Sequence, residues 1–135
     1  MIVGNRKEFS EILEKLGTQR RVLVLGCNEC VTVCGVGGER EVGVLASELR
    51  LFWQKEGETF EVKEHTLERQ CDYEYIDSIR GFAGDYDVIL SMACGAGVQY
   101  VAEAYKPKLV IPAVNTTFLG VTLEQGVWSE RCQGC

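Results

Sequence analysis

Short apolar runs alternate with amphipathic helical segments along this chain, and that alternation restricts the fold more than any other feature. The clearest runs are residues 21–25 and 86–91, which are rich in Val, Ile and Leu. Between them, apolar residues recur at helical spacing over residues 39–55, and Gly57 supplies a stop signal. Strands separated by helices are typical of a parallel sheet. The sequence therefore predicts an α/β domain.

Two further strands complete the predicted sheet. Residues 60–66 alternate apolar and polar side chains, which is typical of a strand with one face in water. Residues 108–112 end in Pro112, which favours an edge or exit position. With right-handed crossovers, the expected fold is doubly wound and flavodoxin- or Rossmann-like: a four-stranded parallel sheet in the order 2-1-3-4 with helices on both faces.

Three more helices are predicted around this sheet. The first covers residues 5–16 with Asn5 as its N-cap, because apolar residues recur at helical spacing and Gly17 follows. The others cover residues 72–82 and 96–105. After residue 112 the periodicity fades.

Length and charge exclude several classes of protein. A chain of 135 residues forms one compact domain and not two. Its formal net charge of −6 would repel a phosphate backbone, so we expect no nucleic-acid partner. No apolar run is long enough to span a membrane, and the first residues become charged too early for a signal peptide. A cytoplasmic location is expected.

Cysteine is the anomaly in the composition. Seven Cys stand beside a single His, and an odd number excludes a complete set of internal disulfides. Without a secretory signal, the expected reducing compartment also argues against a disulfide framework. Metal binding becomes the first hypothesis.

Five of these cysteines fall at one predicted edge of the sheet. Cys27 follows the first predicted strand, Cys71 the second and Cys94 the third, and Cys30 and Cys34 share the loop of Cys27. The carboxyl ends of parallel strands build the ligand sites of open α/β sheets. We therefore expect the five thiols to converge, with one of them spare, since a cluster normally takes four.

The spacing of these thiols favours an iron–sulfur cluster. C-x2-C-x3-C resembles the latter part of the bacterial ferredoxin run, whereas structural zinc sites usually combine two C-x2-C knuckles. Gly26, Gly35, Gly37 and Gly38 are expected to let the backbone approach closely and to leave amide groups free for sulfur. A [4Fe-4S] cluster is the predicted cofactor.

Other interpretations of these residues stay open. Cysteines are often small core residues, Cys27 and Cys30 form a redox-type C-x2-C, and four thiolates also suit a structural zinc-binding interaction domain. The glycines at 35–38 before a helix are a weak phosphate-binding signal.

A second C-x2-C lies at the end of the chain. Cys132 and Cys135 are predicted to be part of a second metal site for zinc or another cluster. The expected organisation is a cluster-binding α/β domain over residues 1–120, followed by the truncated start of a cysteine-rich extension over residues 121–135.

Four motifs in order give the chain a family resemblance. They are residues 26–34 (GCNECVTVC), 68–72 (ERQCD), 91–99 (SMACGAGVQ) and 112–120 (PAVNTTFLG). In these motifs the chain resembles the small iron–sulfur and zinc subunit, or C-terminal-domain family, of methylenetetrahydrofolate reductase from acetogenic bacteria. The resemblance covers nearly all of residues 22–135.

The resemblance implies a function in one-carbon metabolism. Members pair with a flavin-containing reductase subunit in the Wood-Ljungdahl pathway, so the implied role is that of an accessory oxidoreductase subunit in electron transfer and not of a self-sufficient enzyme. Members also continue past the position of Cys135 with further metal-binding cysteines.

Overall fold

The computed structural model describes residues 1–133 and shows an α/β protein with two sheets. Its seven strands in this range are β1 (Ile2–Arg6), β2 (Arg21–Cys27), β3 (Glu61–Leu67), β4 (Val88–Ser91), β5 (Leu109–Pro112), β6 (Val114–Glu124) and β7 (Val127–Cys132). The predicted α/β class with a four-stranded parallel sheet is confirmed.

The parallel sheet has the order β3-β2-β4-β5. Strand β2 corresponds to the first predicted strand. It pairs with β3 on one side and with β4 on the other. Strand β5 lies at the far edge and pairs with β4, in register from Val88 and Leu109 to Ser91 and Pro112. The carboxyl ends of β2, β3 and β4 therefore lie side by side.

Helices pack against both faces of this sheet. They are α1 (Phe9–Leu16), α2 (Cys30–Val33), α3 (Glu39–Lys55), α4 (Tyr73–Ile76), α5 (Arg80–Ala83) and α6 (Gly95–Ala104). Val22 and Val24 of β2 join the apolar cluster of α1 and α3, whereas Leu23 and Leu25 join the cluster of α4 to α6. This alternation places one core on each face.

Helix α3 has the bounds that the sequence predicts, and two other helices differ from prediction. Asn5 was expected to cap the first helix, but it lies in β1 and pairs with Asn115 of β6, while α1 begins only at Phe9. The predicted helix over residues 72–82 is split into α4, a 3-10 turn (Asp77–Ile79) and α5. Its predicted start is correct, because the Asp72 carboxylate accepts from the Glu74 N–H.

The antiparallel sheet is absent from the sequence prediction. Strands β1, β6 and β7 form it in the order β1-β6-β7, so the first strand of the chain and the last described strand both pair with β6. Strand β6 runs without interruption across residues 120 and 121, where the predicted boundary of the extension lies. Most of its side chains, like those of β7, are exposed, which explains why no clear alternation marks them in the sequence.

No helix formed by residues 1–133 has the length and apolar character needed to cross a membrane.

Candidate metal centre

Cys27 is the buried residue on which the candidate site is built. It is the last residue of β2 and only 7% exposed. Its N–H donates to the Gly37 carbonyl over 2.9 Å, and its own carbonyl accepts from the Thr32 hydroxyl over 2.7 Å. The main chain of Cys27 is thus held by the loop that follows it.

That loop folds into one helical turn with a defined end. Gly35 has a φ of 69° in the left-handed region, and its N–H donates to the Thr32 carbonyl over 3.0 Å. The Val36 N–H donates to the Val31 carbonyl over 2.9 Å. These two bonds form a Schellman motif, which places Cys34 at the C-cap of α2.

The glycines of this loop serve its packing and not the sulfur atoms. The expected close approach is present, since a Cβ on Gly37 would lie 1.9 Å from the Met92 carbonyl oxygen. The expectation of free amides is wrong for the last three glycines, because Gly35 donates within the turn, Gly37 donates to the Val31 carbonyl and Gly38 donates to a carboxylate oxygen of Glu41.

The amide groups that reach the Cys27 sulfur come from elsewhere. Burial raises the pKa of the Cys27 thiol most strongly, while backbone N–H groups of Glu29 and Gln70 oppose this by bonding to the sulfur. Charges on Cys71 and Cys94 raise the pKa further. Cys27 therefore has two thiol neighbours and two main-chain donors at its sulfur.

Cys71 and Cys94 reach this point from the two neighbouring strands. Cys71 lies in the loop between β3 and α4 and is exposed. Cys94 is half-buried at the N-cap of α6, three residues after β4. The Gly95 N–H donates to the Thr116 hydroxyl over 2.9 Å, which ties the start of α6 to β6. The three loops thus meet at one edge, as parallel strands require.

Gln70 holds this edge together and was not identified from the sequence. Its side chain is fully buried, and its amide nitrogen donates to the carbonyls of Leu25 and Gly26 over 2.8 and 3.0 Å. Its amide oxygen accepts from the buried Ser91 hydroxyl over 2.6 Å. Gln70 therefore links the ends of β2 and β4 directly beside Cys71. A glutamine next to a cysteine gives no local signal of such burial.

The small residues after Cys94 have a packing role in this arrangement. A Cβ on Gly97 would lie 2.9 Å from the Gln70 Cβ and 2.8 Å from the Ala93 Cβ. Gly97 is thus needed for the approach of α6 to Gln70.

Cys30 and Cys34 lie on the same loop, and their thiols interact with each other. Burial is the largest cause of the raised pKa of the Cys34 thiol, and the charge of Cys30 raises it further. The Cys34 sulfur lies 3.4 Å from the Ile2 carbonyl oxygen of β1 and accepts from the Gly4 N–H. Cys34 is therefore directed toward the antiparallel sheet.

The other predicted site residues are Cys132 and Cys135. Cys132 is exposed near the end of β7, opposite Leu119, and Cys135 lies outside the described residues. Asn115 and Thr116 of β6 bond to other groups: the Asn115 side-chain amide oxygen accepts from the Lys7 ammonium group, and the Thr116 hydroxyl accepts from the Gly95 N–H.

The chemistry of the donor set fits an iron–sulfur cluster. Thiols from three loops share one edge, and main-chain N–H groups bond to a buried sulfur, which is how proteins stabilise cluster thiolates. Within residues 1–133, no three His, Cys, Asp or Glu side chains are grouped closely enough to hold a single metal ion.

Comparisons with protein-family models, with curated proteins and with solved structures found no match. The function of the chain must therefore be inferred from its residues and their geometry.

Proposed function

We propose that this chain is a small α/β subunit that binds a [4Fe-4S] cluster through cysteines at the carboxyl edge of its parallel sheet. The observation that carries the proposal is the meeting of Cys27, Cys71 and Cys94 from three separate loops, with main-chain donors at the Cys27 sulfur. Cys30 and Cys34 complete the set of candidate ligands.

The particular protein proposed is the iron–sulfur subunit of a methylenetetrahydrofolate reductase complex. The four sequence motifs support it, and three of them, residues 26–34, 68–72 and 91–99, contain the loops that meet at the candidate site. In this proposal the chain is a cytoplasmic accessory subunit that exchanges electrons with a flavin-containing catalytic subunit in one-carbon metabolism.

The protein's own residues have positional and electrostatic roles in this function. A bound cluster supplies one-electron chemistry. Gln70 holds the ends of β2 and β4 at a constant separation, and the Glu29 and Gln70 N–H groups stabilise negative charge on the Cys27 sulfur. Because thiolates are the ligands, cluster loading releases a proton from Cys27, whose pKa is raised by burial.

Metal analysis of anaerobically purified protein tests the cofactor. We expect about four iron atoms per chain and the broad visible absorbance of a cluster. A colourless protein that contains zinc in place of iron would contradict the proposal and support a structural zinc-binding interaction domain.

A redox titration tests the partner. The iron-loaded chain is mixed anaerobically with a prereduced flavin-containing methylenetetrahydrofolate reductase subunit from an acetogenic bacterium. We expect the visible absorbance of the cluster to bleach as it is reduced. Unchanged absorbance, with dithionite still able to reduce the cluster, would contradict the partner assignment while leaving the cofactor intact.

A further inference from the structure

In the cysteine loop, residues 27–38, the surroundings of the Cys27 sulfur differ from those of the Cys34 sulfur. Cys27 lies near two other thiols, Cys71 and Cys94, whose charges act on it. Around Cys34 the only thiol that acts on it among the described residues is Cys30, and its other polar neighbours belong to the main chain of β1 and to the N-terminal amine. A four-thiolate site has no need of all five sulfurs.

Strand β1 presents its free edge to Cys34. The Met1 carbonyl accepts from the Gly120 N–H, and the Val3 carbonyl accepts from the Thr117 hydroxyl, so both face β6. Polar groups of alternate residues point to opposite edges of a strand. The Ile2 carbonyl and the Gly4 N–H therefore point away from β6.

Cys34 occupies the position that a neighbouring strand would otherwise take. Its thiol donates to the Ile2 carbonyl over 3.4 Å, and its sulfur accepts from the Gly4 N–H. One side chain thus satisfies a donor and an acceptor on an edge with no strand beside it in the described sheet. Helix α2 and β1 are in contact at this point.

Cys30 follows Cys27 by three residues and is half-buried. Its carbonyl accepts from the Cys34 N–H over 3.1 Å, and its thiol acts on Cys34 through charge, but among residues 1–133 its sulfur makes no hydrogen bond to the main chain. Its sulfur is thus not committed to a main-chain bond.

We infer, on the basis of the proposed function, that Cys27, Cys30, Cys71 and Cys94 ligate the cluster and that Cys34 is a positioning residue that fastens the antiparallel sheet to the cysteine loop. The thiol of Cys34 keeps its bonds to β1 when the cluster is present. The odd fifth cysteine therefore joins the two sheets.

Iron content of matched serine variants tests the ligand set. Cys34→Ser is expected to keep the iron content of the wild type, and Cys30→Ser is expected to lose most of it, each measured per chain in the folded monomer peak of a sizing column. Loss of iron in Cys34→Ser overturns the inference, whatever Cys30→Ser does, and so does full iron in Cys30→Ser. If Cys34→Ser does not fold, Cys34→Ala is measured under the same criterion.

Hydrogen exchange tests the positioning role without reference to iron. Removing the thiol in Cys34→Ala should lower the protection of the Gly4 amide about three- to tenfold, the loss expected for one hydrogen bond. Cys34→Ser should lower it less, because a hydroxyl also donates and accepts. The Gly120 amide, which faces β1 from β6, is the internal control and should not change.

The outcomes separate the two levels of inference. A wild-type protein without iron defeats the proposed function, and the Gly4 exchange then still decides the role of Cys34. Iron in the wild type, together with unchanged Gly4 exchange in Cys34→Ala, overturns the positioning role and leaves the proposed function standing.

Discussion

The two sheets of this protein differ in how much of their surface is packed. In β2 every residue from 22 to 27 is buried, as are all four residues of β4, whereas β6 and β7 are exposed along most of their length. The three thiols at the sheet edge, Cys27, Cys71 and Cys94, follow strands of the packed sheet. The exposed hairpin has one described cysteine, Cys132. A dense scaffold can hold ligands in a set geometry, and an exposed hairpin is a weaker support.

The largest expected effect concerns the backbone contact between the cysteine loop and β4. Gly37→Ala would place a Cβ 1.9 Å from the Met92 carbonyl oxygen, and main-chain atoms on both sides leave no room to move. We expect a loss of about 3 kcal/mol in the free energy of unfolding, measured by urea denaturation of the metal-free protein.

Gly43→Ala is the matched control for that substitution. Gly43 lies inside α3, and the nearest atom to its added Cβ, a Glu64 carboxylate oxygen, is 3.7 Å away. Alanine should stabilise the helix there by up to about 1 kcal/mol. Equal effects at Gly37 and Gly43 would contradict the tight packing described for the loop.

The next effect concerns the buried amide between β2 and β4. Gln70→Ala removes three hydrogen bonds and leaves the buried Ser91 hydroxyl without its acceptor. We expect a loss of about 2 to 3 kcal/mol in chemical denaturation. Gln54→Ala, at an exposed position of α3, should change stability by less than about 0.5 kcal/mol. A Gln70 variant as stable as the Gln54 variant would show that the link is dispensable.

A pH dependence should follow from the packed thiols. The pKa values of Cys27 and Cys34 are raised in the folded protein, so the folded state keeps protons that unfolded thiols lose above about pH 8.5. The contribution of these two thiols to the free energy of unfolding of the reduced, metal-free protein should therefore be constant below that pH and be lost as pH rises through the higher folded values. Urea titrations at several pH values measure it. Cys27→Ala should flatten the fall, and a steeper fall in this variant would contradict the cause assigned here.

The smallest effect is expected on the exposed hairpin. Leu123 is 59% exposed, so Leu123→Lys should change the free energy of unfolding by less than about 0.5 kcal/mol. Thermal and urea denaturation would both measure it. A loss above 1 kcal/mol, larger than substitution of an exposed side chain accounts for, would show that the hairpin is packed as firmly as the parallel sheet.

The sequence predicted the packed sheet better than the exposed one. Buried strands and the amphipathic helix α3 show strong hydrophobic patterns. The pattern predicts most of the first and last residues of these elements to within two residues. The sequence predicts the start of a helix where β1 lies, because Asn5 is a good N-cap and five residues are too few to show alternation. Strands β6 and β7 expose both faces over much of their length, so no pattern marks them.

The candidate site was predicted in outline and not in detail. The positions of Cys27, Cys71 and Cys94 after three parallel strands follow from topology alone. The burial of Gln70 and the bond from Cys34 to β1 depend on contacts between residues distant in sequence. Local residue patterns contain no information about such contacts.

The iron content of Cys94→Ser, set beside that of the wild type, tests most directly the central claim that thiols from separate loops hold one cluster. Both proteins are purified anaerobically, and iron and sulfide are measured per folded chain. We predict about four iron atoms in the wild type and almost none in the variant, because serine is a poor cluster ligand and Cys94 lies with Cys27 at the sheet edge. Equal iron in the two proteins would contradict the claim.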